Sequence, residues 1–473
     1  MYKVPDEYYC RLHHVRPRFK NDVESVLLYM ATEISRIEPA NKDNFNKTLN
    51  QVIKLYPGNA SKTEKTINNW RTEISSLFGL IECEGDIIKP GRMALLLSEN
   101  QDLIEFFRYF LFYFQYPGGH LKPQETAELI KKGIRFKPAK YLVQVFFEGQ
   151  KIAGDKKFGI TKAEATHCIF NDLRVTRDSR SPKETVEFIL KNREAKTEYD
   201  QGGDITRYAG DIMDYMELAD LVTLRPNYQY YLNNAHLETL HAFVNNVEYF
   251  QPYEEMYGKI RLSASDVAKS QDAWFAYVNE QLDSSIFEAD VASIIGEMGE
   301  KAGMEKQSGF ILELLKKIQK NTQREEKVKT KEIGDVGESM VIEHEKTRLT
   351  NLGRQDILHM IQKIPEKFAV GYDITSFDGI NDLRRLIEVK TSISRGKLSS
   401  TNFHMTPSEW SAANSHRSIY FIYRLMISSQ AVSLFLIQDP VGKYKADSLG
   451  MVIRDGADVK YSANSGNWEK LLV

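Results

Sequence analysis

The sequence predicts an α+β multidomain protein, with a mostly helical N-terminal part built from two helix-and-hairpin modules and a C-terminal α/β domain. Three observations lead there. At 473 residues the chain is too long for one ordinary core, so two to four domains are expected. Apolar residues recur at helical spacing through most of the chain before Gly334, broken twice by short apolar runs that face each other across a turn. From Gly334 onward a helix is followed by longer apolar runs of strand type. The resulting division is 1–120, 121–260, a helical connector at 261–331, and a last domain at 332–473.

Hydrophobic content of 42% with 27% charged residues is that of a soluble globular chain, and no apolar run is long enough to span a bilayer. The N-terminus, with Asp6, Glu7, Arg11, His13, His14 and Arg16, has no apolar signal segment, so a cytoplasmic protein without a membrane partner is expected. Cys10, Cys83 and Cys168 are odd in number and far apart, which suits neither a disulfide framework nor a zinc site. The net charge of −2 does not favour nucleic-acid binding by overall basicity, so any phosphate-binding surface has to be local. One candidate runs from Tyr8 to Asn21. No acid occurs there, and Arg11, Arg16, Arg18 and Lys20 alternate with aromatic and imidazole residues. It reads either as a DNA-binding segment or as a solvated N-terminal strand.

In the first module, Asn21–Ile37 and Thr63–Phe78 read as amphipathic helices, the second with Ile67, Trp70, Ile74 and Leu77 as its buried stripe. A hairpin follows, Leu80–Cys83 returning through Glu84-Gly85-Asp86 to Ile87-Ile88, and Pro90-Gly91 leads into a further helix at Met93–Leu97. These are the ingredients of a winged helix, in which the helix before the wing enters the DNA major groove. Its outward residues here are Lys62, Lys65, Asn68, Asn69 and Arg71. Arg and Asn make bidentate contacts with guanine and adenine edges, and Lys suits phosphates. A merely polar helix face is the alternative.

The second module repeats the pattern. Gly159-Ile160-Thr161 opens a helix through Phe170, with Thr161 and Glu164 as a capping box. A basic connector carries Arg174, Arg177, Arg180 and Lys183, and helices at Glu184–Arg193 and Ile205–Leu218 follow. A second hairpin joins Leu221–Leu224 to Tyr228–Leu232. Arg174, Arg177 and Arg207 are its candidate DNA contacts. The apolar helices at Met93–Leu97 and Leu103–Phe114 are expected in the interior, and the charged run Gln323–Lys331 reads as a linker or an exposed helix end.

The C-terminal domain carries the chemistry. Gly334-Asp335-Val336-Gly337-Glu338 leads into a helix through Glu345, placing Glu338 near its start. An apolar strand Phe368–Phe377 contains Asp373, and after a turn at Asp378-Gly379 a second strand reads Leu386-Ile387-Glu388-Val389-Lys390. Residues two apart on a strand share a face, so Glu388 and Lys390 project together while Ile387 and Val389 point to the core. A hairpin brings Asp373 beside Glu388. Two carboxylates meeting at a sheet end repel each other, and an oxygen-liganded magnesium ion removes that cost. Such an ion polarises a phosphate and acidifies bound water, leaving Lys390 to orient or deprotonate the water and stabilise developing charge. The alternative is an ordinary salt-bridged hairpin in which Lys390 pairs with Asp373 or Glu388.

The ordered set Gly337-Glu338, Gly-Tyr-Asp373 and Ile-Glu388-Val-Lys390-Thr-Ser resembles the PD-(D/E)XK nuclease superfamily over roughly the last 140 residues, although Tyr372 stands where the name has proline. The resemblance implies that Asp373, Glu388, Lys390 and Glu338 are catalytic, and that Asp373, Glu388 and Glu338 bind magnesium. Thr406-Pro407-Ser408-Glu409 is a capping box starting the helix Glu409–Asn414, and Ser418–Leu425 and Val432–Ile437 read as strands. His404 and Trp410 are expected to be structural. Ser394, Arg395 and Lys397 read as a polar loop suited to phosphate contacts.

Two winged-helix-like modules joined to such a nuclease are similar to BpuJI-like type IIS restriction endonucleases. This implies sequence-specific cleavage of double-stranded DNA, with recognition and cleavage in separate domains and a homodimer through the nuclease domains. The alternatives are a repair nuclease of the Holliday-junction-resolvase type and a non-catalytic DNA-binding regulator.

Overall fold

Two antiparallel sheets of very short strands sit among the helices of the first 287 residues. The computed structural model describes every residue except 13–22, 57, 155–157, 203–206, 283–284, 301–302, 322–332, 366–367, 397–401, 455 and 473. The charged run at 323–331 and the helix starts expected at Asn21 and Ile205 therefore lie outside the described residues. The chain forms two compact units, Met1–Glu99 with Leu103–Phe287, and Asn100–Asp102 with Glu288–Val473.

The first unit opens with α1 (Val23–Ile34), β1 (Ala40–Asn41), α2 (Lys42–Leu55) and α3 (Glu64–Thr72), which continues as a wider turn over Glu73–Leu77. Then come β2 (Ile81–Glu84), β3 (Ile87–Pro90), α4 (Arg92–Asn100) and α5 (Leu103–Tyr113). Asn41 and Thr63 cap α2 and α3 by accepting backbone N–H groups. The hairpin turns at Gly85, whose φ of +62° suits a residue without Cβ. β3 lies between β1 and β2, and β1 had no counterpart in the sequence reading. Asn279, fully buried, ties the hairpin to α4: its Nδ2 donates to Ile81 O, and its Oδ1 accepts from Met93 N at 2.9 Å.

The same order recurs in α6 (Pro123–Lys131), α7 (Pro138–Ala153), β4 (Gly159–Ile160), α8 (Lys162–Ala165), α9 (Leu173–Thr176), α10 (Pro182–Glu194), α11 (Arg207–Leu218), β5 (Val222–Leu224) and β6 (Tyr230–Leu232). β6 lies between β4 and β5. Gly159 and Ile160 thus form a strand rather than the start of a helix. A Cβ on Gly159 would lie 2.6 Å from the Tyr231 ring, and the helix begins only after Thr161, in the expected capping box. The unit ends with α12 (Leu237–Asn245), α13 (Gln251–Glu254), α14 (Ala264–Ala268) and α15 (Gln271–Val278). The stretch expected to be a connector divides, because Trp274 and Phe275 of α15 are buried in this unit while the helices after Phe287 belong to the other.

The second unit contains α16 (Val291–Gly299), α17 (Glu305–Asn321), α18 (Ile333–Asn351), β7 (Gln362–Lys363), β8 (Ile374–Phe377), β9 (Arg384–Ser394), β10 (Asn402–Met405), α19 (Pro407–His416), β11 (Tyr420–Ser428), β12 (Val432–Gln438), α20 (Pro440–Lys445), β13 (Leu449–Arg454), β14 (Gly456–Tyr461) and β15 (Asn467–Glu469). Its main sheet runs β15-β12-β11-β9-β8-β7, with β9 and β11 parallel and the other pairs antiparallel. A second sheet, β10-β14-β13, helps to close an apolar cluster with Leu386, Ala413, Tyr420, Ile422 and Phe435. On the opposite face α18 packs against β9, and Gly337 leaves no room for a Cβ against the Thr391 hydroxyl. The strand expected from Phe368 begins only at Ile374. Ala369 and Gly371 have φ of +46° and +79°, and a side chain at 371 would meet the Ser408 carbonyl.

Candidate functional site

β9 and β11 place the acidic and basic groups by register. Glu388 stands opposite Ile422 and Lys390 opposite Arg424, so Glu388 and Lys390 share one sheet face. Asp373 directly precedes β8. Its N–H donates to Ile387 O at 2.9 Å, and its Oδ2 accepts from Val389 N at 2.8 Å, which fixes the carboxylate at the edge of β9. The expected alternation holds in direction but not in depth: Ile387 is fully buried, Val389 is half-buried, and Glu388 is only 4% exposed.

Lys390 Nζ lies 2.8 Å from Glu388 Oε1 and 2.7 Å from Glu409 Oε2. Glu409 is the N3 residue of α19, and Thr406 N donates to the same Oε2 at 3.1 Å. Two carboxyls, Glu388 and Glu409, therefore hold one ammonium in a desolvated place, with the Asp373 charge nearby. Burial pushes the Glu388 pKa well above its ordinary value, with the Glu409 and Asp373 charges adding to it against the pull of Lys390. Burial also raises Asp373. Burial opposes the charge on Lys390, but Glu388 and Glu409 outweigh it and hold the lysine protonated above its ordinary range. Glu409 moves down, because Lys390 and the Thr406 hydrogen bonds overcome its burial.

Glu338 lies in the second turn of α18, near its start as expected. Its Oε2 is 2.8 Å from Lys363 Nζ, and Lys363 also reaches Asp335 at 2.5 Å. Burial, reinforced by Asp373 and Asp335 and opposed by Lys363, pushes the Glu338 carboxyl up to about 7. Asp373 thus neighbours Glu388 and Lys390 on one side and Glu338 on the other. Among the described residues no three His, Cys, Asp or Glu side chains already converge on an ion position. Asp373 Oδ1 and Glu388 Oε2 nevertheless carry no hydrogen bond from the described residues, and their hard oxygen chemistry fits magnesium, which takes one or two carboxylates and keeps several waters.

Two members of the site escaped the sequence reading. Glu409 was visible as a cap but not as a partner of Lys390, and Lys363 lies on a two-residue strand with no periodic pattern. Trp410 packs against the apolar cluster, and His404 is a ladder residue paired with Asp458. Arg395 is not an exposed loop residue: it is 6% exposed and pairs with Glu297 at 2.9 Å. Ser394 is buried, and Lys397 lies outside the described residues.

The candidate DNA contacts divide as well. Lys62, Lys65 and Asn68 are exposed at and on α3, whereas Asn69 and Arg71 are half-buried. Arg71 donates to Asn50 at 3.3 Å, and Asn69 Nδ2 has no hydrogen-bond partner among the described residues. Arg11 is exposed, while Arg16, Arg18 and Lys20 lie outside the described residues. Arg174 is engaged internally: its guanidinium grips buried Asp172 at 2.6 to 3.1 Å, reaches the Tyr2 hydroxyl and stacks on Tyr8. Arg177 pairs with neighbouring Asp178 at 2.6 Å. Arg207, half-buried, begins α11, a helix that otherwise carries Asp211, Asp214 and Glu217.

A family model described as restriction endonuclease BpuJI, N terminal, matches residues 2–275. A second, described as protein NO VEIN, C-terminal, matches residues 337–437, a stretch that includes Glu338, Asp373, Glu388, Lys390 and Glu409. Among solved structures, one of pyrene- and phenanthrene-modified DNA in complex with the BpuJ1 endonuclease binding domain is similar at 22% identity and a TM-score of 0.50, covering 59% of this chain and 100% of that one. No curated protein matches the chain. No helix among the described residues is long and apolar enough to cross a membrane.

Proposed function

Since the chain belongs to the restriction endonuclease BpuJI N-terminal family, we propose that it is a type II, type IIS-like restriction endonuclease. On this reading it binds double-stranded DNA with its first unit and hydrolyses phosphodiester bonds with its second. The observation that carries the cutting half is Asp373 held at the edge of β9 beside Glu388 and Lys390, which pair on one face of that strand. The binding half rests on the family match and on the two helix–strand–helix–hairpin modules, which we read as winged helices, with α3 and its Lys65 and Asn68 toward the major groove.

In the cutting unit, Asp373 Oδ1 and Glu388 Oε2 would hold a magnesium ion, with Glu338 acting through water. When bound, the ion supplies Lewis acidity for the scissile phosphate and acidifies a coordinated water. Lys390, kept protonated by Glu388 and Glu409, is suited to stabilising the negative charge that develops on the phosphate oxygens and to orienting the attacking water, rather than to acting as a base. Glu409 holds the lysine against β9. One such site cuts one strand, so a double-strand break calls for two copies, joined through the second unit.

The test is incubation of the purified protein with magnesium and a plasmid of known sequence, followed by mapping of the ends. Discrete fragments are expected. The variants Asp373→Ala, Glu388→Ala and Lys390→Ala should each lose cutting by about a thousandfold while still binding DNA. Cleavage at the wild-type rate by any of them would remove the site assignment. Smearing would instead favour a nonspecific nuclease, and binding without cleavage a regulator.

A further inference from the structure

A strand that carries catalytic groups has to be held on both edges, and the outer edge of β9 changes partner along its length. β8 accompanies it as far as Ile387. Asp373 Oδ2 then takes the Val389 N–H. Past Lys390 the edge passes to the segment Asn100–Asp102: Ile393 N donates to Gln101 O at 3.4 Å, and Asp102 forms a parallel bridge with Ile393. These three residues belong to the second unit, although the chain before and after them belongs to the first. Asp102 is anchored by accepting from Ala289 N at 3.0 Å.

The Gln101 side chain reaches further than its backbone. Its Oε1 accepts from the Ser392 hydroxyl and, at 3.2 Å, from Arg424 Nη2. Arg424 is fully buried and in register with Lys390. Its Nη1 donates to the Lys390 carbonyl at 3.0 Å, and its Nη2 donates to Ser392 Oγ at 2.6 Å. Among the described residues no carboxylate pairs with this guanidinium, and its Nε has no hydrogen-bond partner. A buried cation is costly unless it is paired, and here the compensation comes from neutral oxygens. Gln101 itself sits at φ +49°, a left-handed conformation that favours glycine or asparagine. The two contacts made by its side-chain oxygen give a reason for glutamine at such a position.

We propose that Gln101 is a positioning residue for DNA cleavage: with Ser392 and Arg424 it fixes the backbone of Lys390, and thereby the place of the lysine ammonium. The proposal rests on the nuclease reading of the Asp373–Lys390 site. Arg424 is buried deeply enough that its replacement threatens folding, so the test uses full-length Gln101→Ala, Gln101→Glu and Ser392→Ala. Steady-state cleavage with magnesium and thermal melting are measured for each.

Gln101→Ala should lower kcat by about tenfold or more with KM unchanged and the protein still folded at the assay temperature, since a small misplacement of a catalytic group is expensive in rate. Ser392→Ala should show the same split. Gln101→Glu keeps the acceptor oxygen and should restore kcat to within about threefold of wild type. A Gln101→Ala enzyme with kcat within about twofold of wild type would overturn the proposal alone, as would a loss that Gln101→Glu does not rescue or one that lies in KM rather than kcat. Absence of cleavage by the wild type would overturn the nuclease reading and this proposal with it.

Discussion

Glu345 shows what a buried carboxylate becomes when it is fully partnered, in contrast with the crowded acids at Lys390. It is completely buried on α18 and receives Arg348 through two hydrogen bonds at 2.9 and 2.6 Å, Ser376 Oγ at 2.6 Å and Tyr423 OH at 2.7 Å. Burial alone would raise its pKa, but Arg348, with Arg385 and Ser376, carries it below the ordinary value of 4.5. A carboxyl with a lowered folded pKa contributes stability that is present above its unfolded value and lost as pH falls through the folded one. Glu345→Gln should therefore destabilise the protein by about 3–5 kcal/mol at neutral pH, because Arg348 is left without its counter-charge. The gap to wild type should shrink on acidification below about pH 4.5, as followed by urea unfolding. A gap that stays constant from neutral pH to well below that value contradicts this account.

At the scale of elements, α19 links folding to the site through its cap. Thr406 and Glu409 form a reciprocal box, and the Glu409 oxygen that accepts from Thr406 N also reaches Lys390. Thr406→Ala should cost about 1 kcal/mol by chemical denaturation and should also slow cleavage, whereas a neutral surface cap would change stability alone. On α3, Lys65→Ala should weaken DNA binding evenly across sequences and reduce the salt slope of log K by about 1, measured by titration at several salt concentrations. Asn68→Ala should weaken it unevenly, at one base position. An unchanged salt slope for the lysine variant would remove α3 from the interface.

These elements also show how far the sequence could be read. The hairpins, the capping boxes at Thr161 and Thr406, and the period-two pattern of β9 are local patterns, and local patterns survive into the fold. The strand expected from Phe368 failed because apolar content does not reveal the positive φ angles at Ala369 and Gly371. Glu388, Lys390 and Asp373 were legible because strand periodicity and a hairpin suffice to bring them together. Lys363, Gln101 and the second role of Glu409 depend on pairings distant in sequence, and residue type does not announce a partner. Arg174 and Arg395 make the same point in reverse: each looked available for phosphate and is instead held by Asp172 or Glu297.

Across the whole molecule, a net charge of −2 means that DNA affinity on this reading comes from local patches, and binding should weaken as salt rises. The family match, over residues 2–275, covers most of the first unit and the acidic site lies entirely in the second, so on the proposed reading recognition and cutting should be separable by substitution. The most direct test is a paired measurement on the full-length protein with magnesium and DNA of known sequence. Wild type should yield discrete ends at a fixed position relative to one short sequence, while Asp373→Ala should bind that same sequence and leave it uncut. Absence of discrete cleavage by the wild type, or equal cleavage by the variant, would contradict the account.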